Sequence, residues 1–325
     1  MSDQQKKIGY LIKRLREERG LTQLAFAKEL KTSQSAVARM EAGRQNFTTE
    51  ELLKVSTALN RKIVSITESL DFQIKGGKKL SGTITTNFSK NGSVALLCAS
   101  LLNRGKTTLH GISRIEEVYR LIELLESIGV AIRWLSVHTL EIVPPKKLRM
   151  DSLDIAAAEK IRSSLMLIGS LIHSQEHFHL PHAGGCKMGN RTIAAHRYGL
   201  EPLGVSIDTE EKHYTISSKK LRTGDIVLYE SSDTAAINIL MAASHIPGTT
   251  TIRFAPPNYQ VQEICFFLQK MGVRIEGVGT TTLVVHGIEH FDAPLEYHNS
   301  EDPIESMMFI ATAATTHSKL SILRC

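Results

Sequence analysis

The stretch Ser89-Lys90-Asn91-Gly92-Ser93-Val94-Ala95-Leu96-Leu97 has a counterpart further along the chain, Ser232-Asp233-Thr234-Ala235-Ala236-Ile237-Asn238-Ile239-Leu240. The same offset carries residues 105–109 onto 248–252 and residues 128–130 onto 271–273. The alignment runs without a gap, which a chance match does not readily produce. The chain therefore contains an internal repeat, and such a repeat predicts one supersecondary unit that packs against its own copies.

Each copy of the repeat reads in one order: a strand, a helix with an N-cap, a strand, a second helix that ends in an apolar residue followed by Gly-Val, and two short strands. An intermediate copy begins near Asp154 and ends at residues 203–205. A fourth copy opens at Asp302 and extends through one helix and one strand. Because a single unit cannot bury both of its faces, the copies are expected to pack together into an α/β (α+β) domain.

Composition and charge are those of a globular protein with one basic segment. The apolar content of 42% is ordinary, and no apolar run is long enough to span a bilayer, so no membrane contact is expected. Residues 1–80 contain 16 Lys and Arg against 9 Asp and Glu, whereas the remainder carries a balance of −1. Four widely spaced cysteines and a polar N-terminus without a secretory signal favour a cytoplasmic location.

The basic segment reads as four short helices. Apolar residues recur at helical spacing from Ile8, Gly20 ends the first helix, and Thr22 is a good N-cap for the second. A tight turn at residues 31–33 leads to a third helix over residues 34–42, and a fourth follows Thr48 or Thr49. Two short helices joined by a three-residue turn inside a helical bundle are typical of a helix-turn-helix.

Residues 8–66 resemble the Cro/phage-repressor (XRE) helix-turn-helix family, through Gln23, the Ser33-Gln34-Ser35 start of the third helix, Arg39 and the Glu41-Ala42-Gly43 ending. The resemblance implies that the third helix enters the major groove of double-stranded DNA, with Gln34, Ser35 and Arg39 at base edges. It also implies a phosphate contact for Gln23, a place for Ser33 at the same interface, and a structural pair of Arg16 with Glu41. The alternative is a helical bundle that binds another protein.

A glycine-rich loop, Gly184-Gly185-Cys186-Lys187-Met188-Gly189-Asn190-Arg191, carries the chain's candidate nucleophile or acid. The nearby cations Lys187 and Arg191 favour the thiolate of Cys186 over the thiol. Glycines allow such a loop to approach a ligand closely. The alternative reading is a glycine-rich turn with an unreactive cysteine.

Repeated β-α units together with this loop resemble the enolpyruvyl transferase family over residues 74–325, above all its members that act on UDP-N-acetylglucosamine. The resemblance implies an inside-out α/β barrel. It also implies transfer of the enolpyruvyl group from phosphoenolpyruvate to the 3′-hydroxyl of UDP-N-acetylglucosamine, a step of peptidoglycan precursor synthesis that needs no cofactor. Phosphate is the other product of that reaction.

The resemblance assigns roles to individual residues. Cys186, Lys90 and Arg191 would be catalytic, through proton delivery, charge stabilisation and loop closure respectively. Substrate would be held by Lys90, Asn91, Arg162, Arg191, Thr192, Ile193, Ala194, Ala195, His196, Glu230, Ser231, Ser232 and Asp233. At Lys90 the sequence supports the implied role independently of the resemblance, because a lysine at a helix N-terminus is unfavourable unless an anion binds there. Surface side chains are the alternative for Lys90 and Arg162, and a structural role comes first for Asp302 and Glu305.

Three departures from the family pattern leave the substrate open. The run that would grip the uracil reads Arg191-Thr192-Ile193-Ala194, without the family's proline and aspartate. Glu230 and Asp233 place negative charge where a diphosphate would lie, which costs affinity unless both side chains point away. Position 303 is proline, where the family has arginine.

Histidines near the loop raise the question of a metal. His177 and His179 would share one face of a strand, with His173, His182 and Cys186 nearby in sequence. The family uses no structural metal, and we expect none here.

The predicted organisation is an all-α helix-turn-helix domain (residues 1–68), a linker and first strand (69–80, with Phe72-Gln73-Ile74 opening the strand), a transferase-like domain (81–298) and the start of a second globule (299–325). Family members continue for about two further units, so we expect the sequence to be a fragment of a longer fusion or a truncated relative. The leading hypothesis is a cytoplasmic transferase with a DNA-binding module. A homodimer is compatible with this hypothesis. The alternative hypothesis is a transcriptional regulator whose transferase-like domain senses a UDP-sugar or phosphoenolpyruvate without turnover.

Overall fold

The computed structural model describes residues 3–44, 49–59, 76–184 and 192–325, and the chain divides into two compact units, Met1–Lys78 and Lys79–Cys325. The predicted opening strand at residues 72–74 lies outside the described residues. None of the described helices combines the length and apolarity needed to cross a membrane.

The first unit consists of helices α1 (Asp3–Glu18), α2 (Gln23–Glu29), α3 (Gln34–Glu41) and α4 (Thr49–Leu59). Thr22 and Ser33 cap α2 and α3, because their side-chain oxygens accept hydrogen bonds from the backbone N–H groups of Ala25 and Ala36. This confirms the predicted helix-turn-helix, with the turn at residues 30–33.

The helices of the first unit enclose a small core. Its fully buried side chains come from all four helices: Ile12, Phe26, Val37, Val55 and Leu59. Helix α1 approaches α3 closely at Gly9, where an added Cβ would lie 2.5 Å from the carbonyl oxygen of Met40. Glycine is therefore needed at this crossing.

The second unit begins with the first copy of the repeat: β1 (Ser81–Thr85), α5 (Lys90–Ala99), β2 (Thr107–His110), α6 (Glu116–Ser127), β3 (Ala131–Ser136) and β4 (Thr139–Val143). The second copy contains α7 (Ile155–Ala158), α8 (Ile168–Leu171), β5 (His177–Pro181), α9 (Ala194–Leu200), β6 (Ser206–Thr209) and β7 (His213–Ser217). The third contains β8 (Asp225–Val227), α10 (Asp233–Ser244), β9 (Gly248–Arg253), α11 (Tyr259–Lys270), β10 (Arg274–Glu276) and β11 (Thr282–Gly287). The fourth supplies β12 (Leu295–His298), α12 (Pro303–Thr315) and β13 (Lys319–Leu323).

The structure confirms the repeat element by element. The offset that aligns Ser89 with Ser232 also carries α6 onto α11, and it carries the first residues of β3 and β4 onto those of β10 and β11. The second copy departs from the pattern, because its first helix is divided into α7, a 3-10 turn (Ser163–Leu167) and α8. It also lacks, within the described residues, a strand ahead of that helix.

The strands form one sheet for each of the first three copies. Their orders are β12-β2-β4-β3, β5-β7-β6 and β10-β11-β9-β8, and β1 pairs in parallel with β13 in a separate two-stranded sheet. The fourth copy therefore contributes β12 to the sheet of the first copy, where it runs parallel to β2.

Helices form the centre of the second unit and the sheets lie outside them. Every residue of α10 from Ala235 to Ser244 is buried, and α10 packs against α8, α9 and α11. Its contact with α8 is close, since an added Cβ at Gly169 would lie 2.2 Å from the carbonyl oxygen of Asn238. This arrangement agrees with the expected α/β fold with inward-facing helices.

Candidate functional site

A cavity of about 630 Å³ lies where the first, second and third copies of the repeat meet. Its lining is mostly polar and comes from the starts of α5, α9, α10 and α11 and from the segments just before α8, α9 and α10: Asn91, Arg162, Thr192, Ala195, His196, Glu230, Ser231, Ser232, Asp233, Thr234 and Gln260. Most of the residues predicted to bind substrate are thus brought together in one place.

Arg162 contributes positive charge to the cavity. It lies directly before the 3-10 turn of the second copy, and its Nη2 donates a hydrogen bond to the carbonyl oxygen of Thr192 at 3.1 Å. This contact joins the second copy's first helical segment to the segment that enters α9. A guanidinium group is a planar fork of donors, and this geometry suits phosphate or carboxylate groups.

The N-terminus of α10 forms the facing wall. Ser232 caps the helix by accepting a hydrogen bond from the N–H of Ala235, and the first turn carries the positive end of the helix dipole. The Asp233 carboxylate accepts a hydrogen bond from Asn258 Nδ2 at 2.6 Å, so its charge is directed toward α11. Glu230 is exposed at the rim. Both carboxylates therefore line the cavity, and Asn258 holds only that of Asp233.

A buried hydrogen-bond chain fixes the donor groups of this wall. Asn238 Oδ1 accepts from the N–H of Gly169 at 2.7 Å, and its Nδ2 donates to the carbonyl oxygen of Leu165 at 2.7 Å and contacts His196 Nδ1 at 2.9 Å. Because Asn238 must donate to His196, the imidazole carries its proton on Nε2, 3.3 Å from Thr234 Oγ1. The hydroxyl oxygen of Thr234 can accept a hydrogen bond from His196 Nε2–H, and the hydroxyl can donate its own hydrogen bond to a ligand.

His196 is neutral at physiological pH. Burial, with a smaller contribution from the nearby Arg162 charge, lowers its pKa to about 4. The side chain is 2% exposed, so the neutral ring is a structural part of the cavity wall and not a solvated base.

Lys90, predicted to be catalytic, does not line the cavity. Its Nζ lies 2.7 Å from Glu117 Oε2, and its backbone N–H donates to Asp302 Oδ2 at 3.2 Å. Glu117 thus compensates the unfavourable position of the lysine at the start of α5. The neighbouring Asn91, by contrast, lines the cavity.

Asp302 and Glu305 hold the start of α12 against the segment before α5. Asp302 caps α12 through the N–H groups of Ile304 and Glu305, and the Glu305 carboxylate accepts from both the backbone and the side chain of Asn87. These contacts agree with the structural role expected for both residues.

Cys186 and Arg191 lie outside the described residues, as does the whole of 185–191. The described residues on either side, Gly184 and Thr192, bracket the loop, and Thr192 lines the cavity. Cys98 and Cys265 are buried, and burial raises the pKa of the Cys265 thiol to about 12, as expected for cysteines that pack as small apolar side chains.

Thr234 and Gln260 line the cavity but were missed from the sequence. The repeat contains the signal that would have found them, because its offset places Thr234 on Asn91 and Gln260 on Glu117. Asn238 was missed for another reason, since it reads as one polar residue in an apolar helix.

The histidines before the loop separate into two environments. His177 and His179 share the exposed face of β5, as predicted, and their rings lie 5.1 Å apart. His173 is instead half-buried against α10, where desolvation lowers its pKa to about 4 and Nε2 contacts the carbonyl oxygen of Met241. His173 therefore does not belong to the group formed by His177 and His179.

In the first unit, α3 presents Gln34, Ser35 and Arg39 as exposed side chains on one helix. Ser33 is engaged as the N-cap, and Gln23 Nε2 donates to Glu41 Oε2 at 2.9 Å. Glu41 also receives two hydrogen bonds from the buried Arg16, which is the expected structural pair.

Two family models match the chain. The model described as EPSP synthase (3-phosphoshikimate 1-carboxyvinyltransferase) matches residues 74–324, and a helix-turn-helix model matches residues 12–66.

Individual relatives agree with the first of these models. A UDP-N-acetylglucosamine 1-carboxyvinyltransferase of Bradyrhizobium diazoefficiens is 34% identical over 255 residues, which cover 78% of this chain and 58% of that protein. A protein of that name from Gloeobacter violaceus is 34% identical over 250 residues, covering 77% of this chain and 54% of the relative. The chain thus spans little more than half the length of these relatives.

Solved structures share the fold. The enolpyruvyl transferase NikO from Streptomyces tendae superposes with a TM-score of 0.60 at 20% identity, over 73% of this chain and 56% of that one. EPSP synthase from Acinetobacter baumannii superposes with a TM-score of 0.56 at 19% identity, over 74% of this chain and 54% of that one. The chain therefore belongs to the EPSP synthase (3-phosphoshikimate 1-carboxyvinyltransferase) family, and it carries a helix-turn-helix segment ahead of the family's domain.

Proposed function

We propose that the second unit binds UDP-N-acetylglucosamine and phosphoenolpyruvate and transfers the enolpyruvyl group to the 3′-hydroxyl of the sugar, with release of phosphate. The observation that carries the proposal is the shared cavity, in which Asn91, Arg162, His196 and the α10 N-terminus meet. The names of the relatives support this choice of substrates, and the reaction would serve peptidoglycan precursor synthesis.

The charged and polar residues of the cavity would have separate roles in binding and catalysis. Arg162 and the first turn of α10 would bind the anionic groups of the substrates, and the Thr234 hydroxyl would donate to one of their oxygens. In this reaction the sugar 3′-hydroxyl loses its proton to a base as its oxygen bonds to C2 of phosphoenolpyruvate, and C3 gains a proton to become a methyl group. The methyl group then loses a proton as phosphate leaves C2, which restores the double bond. We assign the proton delivery to Cys186, because Lys187 and Arg191 beside it favour an ionisable thiol. Lys90 would stabilise negative charge on the reacting groups after a bound anion has displaced its ion pair with Glu117.

The decisive assay measures phosphate release from phosphoenolpyruvate in the presence of UDP-N-acetylglucosamine by the 325-residue chain. We expect Arg162→Ala to reduce the rate by about 100-fold, as for loss of a charged group that stabilises the transition state. Cys186→Ala should abolish release. Lys160→Ala is the matched control, since it removes an exposed cation close to Arg162 in sequence, and it should leave the rate unchanged. Equal rates in Arg162→Ala and the control would contradict the proposal.

A second function is favoured by the ion pair of Lys90 with Glu117 and by Glu230 at the cavity rim. Both reduce the positive charge available for catalysis, so the unit could sense the nucleotide without turnover and act as the regulatory part of a transcription factor. This function is tested by titration calorimetry with UDP-N-acetylglucosamine. If the wild-type chain binds the nucleotide but releases no phosphate, the result supports sensing over catalysis. Absence of both binding and release would contradict both.

We further propose that the first unit binds double-stranded DNA through α3. Its support is the exposed set Gln34, Ser35 and Arg39 on a capped helix, together with the concentration of positive charge in residues 1–80. A selection of bound duplexes from a random pool by the full chain tests this proposal. Recovery of no preferred sequence would argue against base readout.

A further inference from the structure

The last residues of β2 and β12 place three metal-ligating side chains on one outer sheet face. His110 and His298 are register partners of these parallel strands, and Glu296 is two residues before His298. The alternate residues Leu109, Leu295 and Tyr297 are buried, so the three polar side chains point away from the core. His110 is half-buried, and Glu296 and His298 are exposed.

The ligand atoms of these side chains converge. Within the described part of the chain, this is the group in which three histidine or acidic side chains each offer a ligand atom within 4.8 Å of the others. His110 Nε2 lies 2.6 Å from Glu296 Oε1, and the two imidazole rings stack with centroids 4.2 Å apart and planes at 10°. Tetrahedral zinc, with bonds of about 2.0–2.1 Å, needs ligand atoms about 3.3 Å apart. The backbone register places His110 and His298 side by side, so rotation of their side chains is the movement that such a site requires.

A neighbouring strand can set the correct tautomer of His110. Thr139 on β4 is its register partner on the other side, and Thr139 Oγ1 lies 3.3 Å from His110 Nδ1. When Nδ1–H donates to this hydroxyl, Nε2 is left with its lone pair directed toward Glu296. Metal-binding histidines in proteins are commonly oriented by such a second hydrogen bond. A divalent ion placed between His110 Nε2 and the Glu296 carboxylate would accept a lone pair from each of them.

We propose that His110, Glu296 and His298 form a binding site for Zn²⁺ or a similar borderline divalent cation, with water as the remaining ligand. Imidazole and carboxylate ligands suit such an ion. The bound ion links β12 to β2, two strands that lie far apart in the sequence, and so clasps the fourth copy of the repeat to the first. This site is separate from the cavity and does not depend on its function.

The test is a Zn²⁺ titration of the full chain against a competing chromophoric chelator. Wild-type protein should bind Zn²⁺ at a site that His110→Ala or His298→Ala weakens by at least tenfold, and Glu296→Gln should weaken it while preserving side-chain shape. The matched control is His179→Ala, because His177, His179 and His213 form another histidine group at the surface, with ring centroids 5.1 and 4.6 Å apart. This control should bind as the wild type does.

Thermal unfolding provides a second readout that does not depend on the chelator. At a hundredfold excess of Zn²⁺ over its Kd, wild type should gain about 5 °C or more in Tm, and His298→Ala should gain none. The proposal is overturned if wild type binds no Zn²⁺, if His298→Ala binds and responds as the wild type does, or if the loss follows His179→Ala instead.

Discussion

Asn238 is expected to be the most sensitive single position of the cavity wall. It is fully buried in α10, and its amide makes three hydrogen bonds, with Gly169, Leu165 and His196. Asn238→Leu introduces an apolar side chain of similar shape but leaves a buried N–H, a carbonyl and a ring nitrogen without partners. At about 1–3 kcal/mol for each such group, less the gain from burying an apolar side chain, we expect a loss of about 3–6 kcal/mol. That is a large part of the stability of an ordinary domain.

The measurement is urea unfolding followed by the fluorescence of Trp134. This residue is the only tryptophan in the sequence and belongs to β3, so its signal reports on the second unit. The control is Gln262→Leu, which removes an amide of α11 whose hydrogen bond is exposed and should change stability by no more than about 0.5 kcal/mol. A loss below about 1 kcal/mol in Asn238→Leu would refute the reasoning that the amide satisfies three buried groups.

A companion variant tests the assigned proton position on His196. Asn238→Asp replaces the donor by a carboxylate, which favours a proton on Nδ1 and should raise the pKa of His196 well above its value of about 4. Histidine chemical shifts measured against pH would report this change. An unaltered pKa would mean that Asn238 does not donate to the ring.

Three further predictions concern pH, the first unit and DNA. Burial lowers the pKa of His245 to about 3, so between pH 6.5 and 3 the unfolded chain binds a proton that the folded chain does not, and the free energy of unfolding should fall as the pH falls. His245→Leu should reduce the slope of unfolding free energy against pH by up to about 1.4 kcal/mol per pH unit. An unchanged slope would contradict this prediction. Glu41→Gln removes the buried carboxylate that pairs with Arg16 and leaves that guanidinium the longer contact with Glu17 at 3.3 Å. It should destabilise the first unit by about 3 kcal/mol, as measured by circular dichroism at 222 nm, and Glu18→Gln at the C-terminal end of α1 should lack this effect. Arg39→Ala should weaken binding to a preferred DNA site by about 1–3 kcal/mol more than to random duplex, and equal losses would leave Arg39 as a phosphate contact.

The repeat made most of the fold predictable, because one offset carried strands, helices and caps from one copy to another. The second copy was the exception. Residues 155–171 form two short α-helices and a 3-10 turn, and Gly169 in this stretch packs closely against α10, a contact between separate helices that spacing along the chain does not show. The cap Thr22 was readable because its side chain acts within three residues, on the N–H of Ala25.

Several residues named from the sequence lie together in the structure, but their contacts were not predictable. Asn91, Arg162 and His196 line one cavity as expected, yet the partner of Lys90 is Glu117, and Asp233 is held by Asn258. Such pairs depend on side chains from separate helices, and spacing along the chain contains no signal for them. The same holds for Gln23, which bonds Glu41 across the first unit.

The parallel pair of β1 and β13 has a consequence for synthesis on the ribosome. Ser81 pairs with Lys319, near the other end of the second unit, so β1 has no sheet partner until Lys319 has emerged. At about 5–20 residues per second, that interval is on the order of 10–50 s. Contacts of such long sequence separation form slowly even in a complete chain, because the intervening loop must first be closed. The first three copies can pack in order as they are made, and this two-stranded sheet closes only after them.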